Sequence, residues 1–328
     1  MSDVPLIDLA AARAGDRADR TRIARTIDEA CRAIGFFTIT GHGVAPAVVQ
    51  DLREAAHAFF ALPLAHKQEA SHPVEGTPRG YHAMAGETLA LANDEVTPPD
   101  LKEFYHVGPV DVTDDPYFTS KRGQQFFLPN IWPEWPERFR EAATVYYRTM
   151  DRLVIFLMRL AALALGLEER FFDDKVARSI GTMRLNYYPR QPEPPLPGQL
   201  RAGAHTDYGS LTILNGEDVP GGLQVRTRSG EWLDVRTPSE HFVINIGDLM
   251  MRWTNDRWLS TMHRVANPPV VDALNTPRLS IAFFNHPNYD ALIECLARDE
   301  QAKYPPVLSG DYRDLKYRKT GLGTTTPA

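Results

Sequence analysis

Cysteine is nearly missing: the 328 residues hold two, Cys31 and Cys295. Two cannot build a disulfide framework, and so low a count fits a reducing cytosol. An excess of basic charge is lacking as well. The formal net charge is -6 and the pI is near 5.9, with no block of lysine or arginine, which argues against a nucleic-acid partner. Long apolar runs are absent too. The most apolar stretch, residues 153–167, is interrupted by Arg159 and falls short of the roughly 20 residues that a helix needs to span a bilayer. Residues 1–5 lack the charged and apolar regions of a signal peptide, and no internal repeat is found. The expectation is a cytoplasmic protein with neither membrane nor nucleic acid as partner. A hydrophobic content of 43% is ample for a large buried core.

What is present divides into two textures. Toward the N-terminus, residues 4–9 read as a short strand. Ile23, Ile27, Ala30, Cys31 and Ile34 recur at helical spacing over residues 21–34, and Gly35 provides a C-cap. Residues 36–40 read as a strand, and residues 45–61 and 63–70 as helices. His42, in a glycine turn, reads as structural rather than as a ligand. Residues 71–100 are rich in Gly and Pro and weakly periodic, the texture of a functional loop. Residues 139–165 are the longest helix candidate. Its apolar stripe of Val145, Leu153, Phe156, Leu157 and Leu160 is that of core packing. No stripe marks a partner interface, so the expectation is a monomer or weak homo-oligomer.

From residue 181 the texture changes to short strands punctuated by Gly, Pro, Asn and Asp. Eight such runs are legible: 181–188, 211–214, 222–226, 232–235, 242–246, 249–253, 259–265 and 278–284. Gly247-Asp248 reads as the turn between the fifth and sixth. Eight short strands point to a jelly roll. The predicted fold class is therefore mainly β with α (α+β): a double-stranded β-helix flanked by N-terminal helices and a long central helix. Residues 1–120 and 121–328 read as two regions of one integrated unit.

The chemistry gathers in Ala204-His205-Thr206-Asp207-Tyr208-Gly209-Ser210. Residues i and i+2 of a strand share a face, so His205 and Asp207 can aim at one point. His263, in a later run, supplies a second imidazole. Two His and one Asp form the facial triad associated with non-haem Fe(II) oxygenases. On the last run, a period of two puts Arg278, Ser280, Ala282 and Phe284 on one face. An Arg with a Ser two residues on suits a small carboxylate. A buried Arg278 would need an anion.

At these residues the chain resembles a known family. His205-Thr206-Asp207, His263 and Arg278-Leu279-Ser280 match the HxD…H…RxS pattern of the iron- and 2-oxoglutarate-dependent dioxygenases of the isopenicillin N synthase-like group. Val4-Pro5-Leu6-Ile7-Asp8-Leu9, the segment from Gly35 to Val44, Pro129-Asn130-Ile131-Trp132-Pro133 and Asn186-Tyr187-Tyr188-Pro189 resemble further signatures of that group, in its order. The resemblance implies that His205, Asp207 and His263 bind Fe(II), and that Arg278, Ser280 and Tyr188 receive the distal carboxylate of 2-oxoglutarate, with Asn186 also near the cosubstrate. It implies O2 as oxidant and ascorbate as an accessory reductant. The product is an oxidised small organic metabolite (hydroxylated, desaturated or cyclised), with succinate and CO2 released. Tyr81, Phe104, Arg184 and Tyr208 are the candidate substrate contacts. The stretch between His263 and Arg278 is longer than in many members and reads as an extended hairpin loop. The alternatives left open are an iron oxidase or oxidative cyclase that does not use 2-oxoglutarate, an ethylene-forming enzyme, a zinc hydrolase, and a non-catalytic roll that binds a metal or small molecule.

Overall fold

The computed structural model describes residues 4–74, 76–84, 86–93, 97–191, 193–269, 276–296 and 301–319. The N-terminal region contains β1 (Leu6–Asp8), α1 (Ala10–Ala14), α2 (Arg17–Ala33), β2 (Phe36–Thr40), α3 (Pro46–Phe60), α4 (Leu64–Gln68), β3 (Gly80–His82), β4 (Glu103–Val107) and α5 (Pro116–Thr119). The long helix α6 (Phe139–Ala164) and the short α7 (Asp173–Val176) follow. Then come β5 (Thr182–Tyr188), β6 (Ala202–His205), β7 (Leu211–Gly216), β8 (Leu223–Arg226), β9 (Trp232–Asp234), β10 (Phe242–Ile246), α8 (Asp248–Trp253), β11 (His263–Val265), β12 (Arg278–Asn285), β13 (Leu292–Ile293), β14 (Val307–Leu308) and α9 (Ser309–Lys319).

The helices start and stop for local reasons. The Asp16 carboxylate accepts the amides of Ala18 and Asp19 at the start of α2, satisfying donors that have no partner within the helix. Pro46 begins α3, where its missing N–H costs nothing. Gly166, at φ +68, follows α6 in the left-handed region that favours glycine.

The roll consists of two sheets. The larger runs β1-β2-β10-β7-β12-β5-β4-β3 and the smaller β6-β11-β8-β9. Among the described residues, only β1 with β2 pairs in parallel within them. Four strands from the first 120 residues thus lie in one sheet with β5, β7, β10 and β12.

The period of two sorts the large sheet's side chains. Leu279, Ile281 and Phe283 of β12, Met183 and Leu185 of β5, and Ile213 of β7 join one apolar core with α2, α3 and α6. Each such side chain contributes about 1.5–3 kcal/mol on burial. The alternate residues, Arg278, Ser280, Ala282, Phe284, Arg184, Asn186, Tyr188 and Thr212, face inward and line a cavity. Register fixes the neighbours there: Arg278 lies opposite Tyr188, Ser280 opposite Asn186 and Ala282 opposite Arg184.

Three local expectations are corrected. Residues 249–253 are not a strand but most of α8. Leu249, Met250, Met251 and Arg252 are unbranched at Cβ and favour helix, and Asp248 stands in the first turn, where a carboxylate suits the helix dipole. In the run at 259–265, strand pairing begins only at His263. The connection from His263 to Arg278 is not a hairpin, because β11 belongs to the smaller sheet and β12 to the larger; residues 270–275 of it lie outside the described residues.

Candidate active site

His205 ends β6, and His263 opens β11 directly opposite it in the antiparallel register. Distance along the chain is thus cancelled by one strand pairing. Asp207 lies just past β6. Its backbone carbonyl accepts the Asp248 amide at 2.7 Å, which folds the segment back toward α8. His205 Nε2 is 3.9 Å and His263 Nε2 3.7 Å from Asp207 Oδ1. One donor atom from each residue lies within 4.8 Å of the others.

The surroundings assign the free lone pairs. His205 Nδ1 donates to the Gly203 carbonyl at 2.8 Å and His263 Nδ1 to the Thr261 carbonyl at 3.0 Å. A carbonyl only accepts, so each Nδ1 carries a proton, and in the neutral ring the lone pair is then on Nε2. Asp207 Oδ2 accepts from Thr212 Oγ1 at 2.6 Å and Asn245 Nδ2 at 2.7 Å. Oδ1 remains, turned toward the imidazoles. Burial, then the neighbouring His263, holds the His205 imidazole at a pKa of about 3. Burial works to raise the Asp207 carboxyl, but His263, His205 and the two hydrogen bonds draw it below its ordinary value. Neutral imidazoles beside an ionised carboxylate are the protonation states a divalent metal requires, so the donor set fits a ferrous ion.

Arg278 lies deeper, 1% exposed. None of its three guanidinium nitrogens has a hydrogen-bond partner among the described residues. Burial lowers its pKa, yet arginine remains protonated in proteins. A buried, unpaired guanidinium calls for an anionic ligand. Ser280 and Tyr188, each 2% exposed, line the same space together with Asn186. The Tyr188 ring centroid is 5.6 Å from the Arg278 guanidinium and 5.8 Å from that of Arg201. Gly216 packs against Arg278; a Cβ there would come within 2.6 Å of Nη2. The site therefore also fits a dicarboxylate cosubstrate.

The expected substrate contacts divide. Arg184 and Tyr208 line the chamber beside the metal ligands. Phe104 is fully buried beneath Arg184, whose guanidinium lies 4.5 Å from its ring centroid; it supports that residue from behind. Tyr81 belongs to the helix-side core, where its hydroxyl donates to Glu103 Oε2 at 2.5 Å beside the Lys67–Glu103 ion pair. Tyr81→Phe should therefore cost about 1.5–3 kcal/mol of stability, the range for a hydrogen bond to a charged group, and leave the substrate KM unchanged. Thermal melting and steady-state kinetics check the two halves separately. His42 proves structural, with Nε2 on the Glu240 carbonyl.

Reading the sequence missed Thr212, Asn245, Glu87, Lys102 and Arg201. Asn245 alone carried a signal, as the single amide in the apolar strand Phe242–Ile246.

This donor set inside a roll defines a class, the non-haem iron oxygenases. Comparison with known proteins narrows it. The family described as non-haem dioxygenase in morphine synthesis N-terminal matches residues 4–135, and the 2OG-Fe(II) oxygenase superfamily matches residues 179–287. The 2-oxoglutarate-Fe(II) type oxidoreductase hxnY of Emericella nidulans is 35% identical over 96% of this chain and 90% of its own length. Validamycin A dioxygenase of Streptomyces hygroscopicus subsp. limoneus is 33% identical over 81% of this chain and 72% of its own. A full-length Neurospora crassa protein, solved in complex with alpha-KG, superposes with a TM-score of 0.82 at 31% identity, covering 96% of this chain and 95% of that one. The chain belongs to the iron- and 2-oxoglutarate-dependent dioxygenases of the isopenicillin N synthase-like family. Its cofactor is Fe(II), 2-oxoglutarate is its cosubstrate, and it oxidises a small organic metabolite with release of succinate and CO2. Among the described residues, no helix is long and apolar enough to cross a membrane.

Proposed function

We propose that His205 Nε2, Asp207 Oδ1 and His263 Nε2 hold the ferrous ion, and that Arg278 pairs with the distal carboxylate of 2-oxoglutarate beside Ser280 and Tyr188. Asn186, on the same face of β5, lies against the cosubstrate. The bound iron supplies the oxidation of a C–H bond. The chain orders the ligands, excludes water, and holds the substrate on the side of the triad lined by Arg184 and Tyr208. The observation that carries this reading is the Arg278 guanidinium, buried without a hydrogen-bond partner among the described residues on the wall that also bears the metal donors. The same observation disfavours an oxidase working without 2-oxoglutarate, which would have no anion to place there. Both cysteines are free thiols, which supports a reducing, cytoplasmic setting; we propose a monomer or weak homo-oligomer.

Validamycin A dioxygenase and the Neurospora crassa protein, which was also solved with thymine, support a small polar substrate, and we propose hydroxylation as its reaction. Oxygen uptake by anaerobically iron-loaded protein, measured with and without 2-oxoglutarate across a metabolite library, tests the reading. Uptake should require 2-oxoglutarate and match succinate release; uptake undiminished in its absence would overturn it.

A further inference from the structure

The cavity has two parts, each of about 60 Å³, that share the metal-ligand wall. The two parts differ in charge compensation. Around Arg278 the guanidinium has no hydrogen-bond or ion-pair partner among the described residues, and Glu217 and Asp218 act on it only from farther off. On the substrate side, among the described residues, the charges around Arg184 are matched to one another. Arg184 Nη1 donates to both Glu87 oxygens at 3.1 and 2.9 Å, and its Nε donates to His106 Nε2 at 2.5 Å. Lys102 Nζ lies 2.7 Å from Glu87 and 3.0 Å from Asp100. Asp100 accepts the Gly203 amide, on the strand that carries His205. Two cations and two anions sum to zero, and all four side chains are at most 8% exposed.

Apart from the metal-ligand candidate Asp207, the other described residues lining this chamber carry no formal charge. His106 accepts from Arg184 at Nε2, and burial holds its pKa well below the usual value. Burial, reinforced by Arg313, holds His286 at about 3. Phe284, Tyr208 and Tyr317 supply aromatic surface.

Resting on the dioxygenase reading above, we infer that the substrate is a small molecule without net charge, held beside Arg184 by hydrogen bonds and ring contacts rather than by an ion pair. A carboxylate entering this space would have to compete with Glu87 for Arg184, and an ammonium would compete with Arg184 and Lys102 for Glu87. Either would lose its hydration and leave one buried charge unmatched, which opposes binding. A neutral amide or lactam loses less on entry and can recover it through hydrogen bonds.

Benzamide, benzoate and benzylamine carry the three charge states on one ring and serve as probes. Their binding is measured by equilibrium dialysis against the full chain with Fe(II) and 2-oxoglutarate under anaerobic conditions. Benzamide should bind at least ten-fold more tightly than the other two. Glu87→Gln leaves the cluster at +1 and should move the preference toward benzoate; Arg184→Gln leaves it at -1 and should move it toward benzylamine. Melting curves confirm that each variant is folded, and the wild-type order stands as a test without them. Any other order in the wild type, including no difference among the three, overturns the inference. The dioxygenase reading is judged separately, by 2-oxoglutarate-dependent succinate release in air; a charged probe binding best while that release persists would sink the inference alone.

Discussion

Asp207→Ala should reduce succinate release to the assay background, with or without an oxidisable substrate. The carboxylate is the only anion in the proposed triad, and its Oδ1 stands 3.7–3.9 Å from both imidazole Nε2 atoms. Without it, two neutral imidazoles remain to hold a labile divalent ion, too few for a stable site. The loss of uncoupled turnover separates this from a substrate-binding defect, which would leave that turnover intact. Asn245→Ala provides the graded comparison. It removes one of two hydrogen bonds that aim Asp207 while sparing every donor atom. Loss of an outer partner of this kind typically weakens metal affinity about 10–100-fold, so activity should return at high Fe(II). Asp207→Ala should not recover at any iron concentration. Succinate release undiminished in Asp207→Ala would remove the metal assignment.

The triad could be found from the sequence because strand chemistry left a pattern in it. His205 and Asp207 are two apart, and the alternation at Arg278, Ser280, Ala282 and Phe284 is the alternation that lines the cavity. The long helix showed itself through an apolar stripe, of which Leu153, Leu157 and Leu160 are buried while Val145 is exposed; Tyr146, Tyr147 and Met150 complete the buried face instead. What stayed hidden depended on pairing between distant segments. Lys102, Glu87 and Asp100 are ordinary surface-type residues in the sequence until β4 pairs with β5, where Glu87 bridges Arg184 and Lys102, and Lys102 in turn meets Asp100. Tyr81 was hidden in the same way. It looked like a pocket aromatic, but β3 turns its ring toward α3, where it meets Phe59 edge-on, centroids 5.8 Å apart. The segment at 249–253 misled for another reason: a short apolar run has no period, and only its unbranched residues distinguish helix from strand.

Arg278→Met should have two effects of opposite sign. The first is on the cosubstrate. Truncating one partner of a buried, hydrogen-bonded charge pair costs about 2–5 kcal/mol, so the KM for 2-oxoglutarate should rise about 30-fold or more, while kcat at saturating cosubstrate falls far less. The second is on the free protein. In the wild type the fold carries a buried guanidinium with no hydrogen-bond partner among the described residues. The Arg278 backbone is paired with Tyr188 of β5, and its side chain lines the cavity at 1% exposure. An unsatisfied buried polar group costs about 1–3 kcal/mol, and more when charged. Methionine fills similar length without that cost, so the variant should melt a few degrees higher than the wild type in anion-poor buffer. Adding 2-oxoglutarate should reverse the ranking. A ligand at 100 times its Kd stabilises the folded state by about 2.7 kcal/mol; the wild type gains this and the variant does not. Melting curves of both proteins, with and without 2-oxoglutarate, measure the crossing directly. Equal stabilisation of the two by the cosubstrate would assign its carboxylate to a different cation, and Arg201, whose guanidinium also approaches the Tyr188 ring, would be the residue to substitute next.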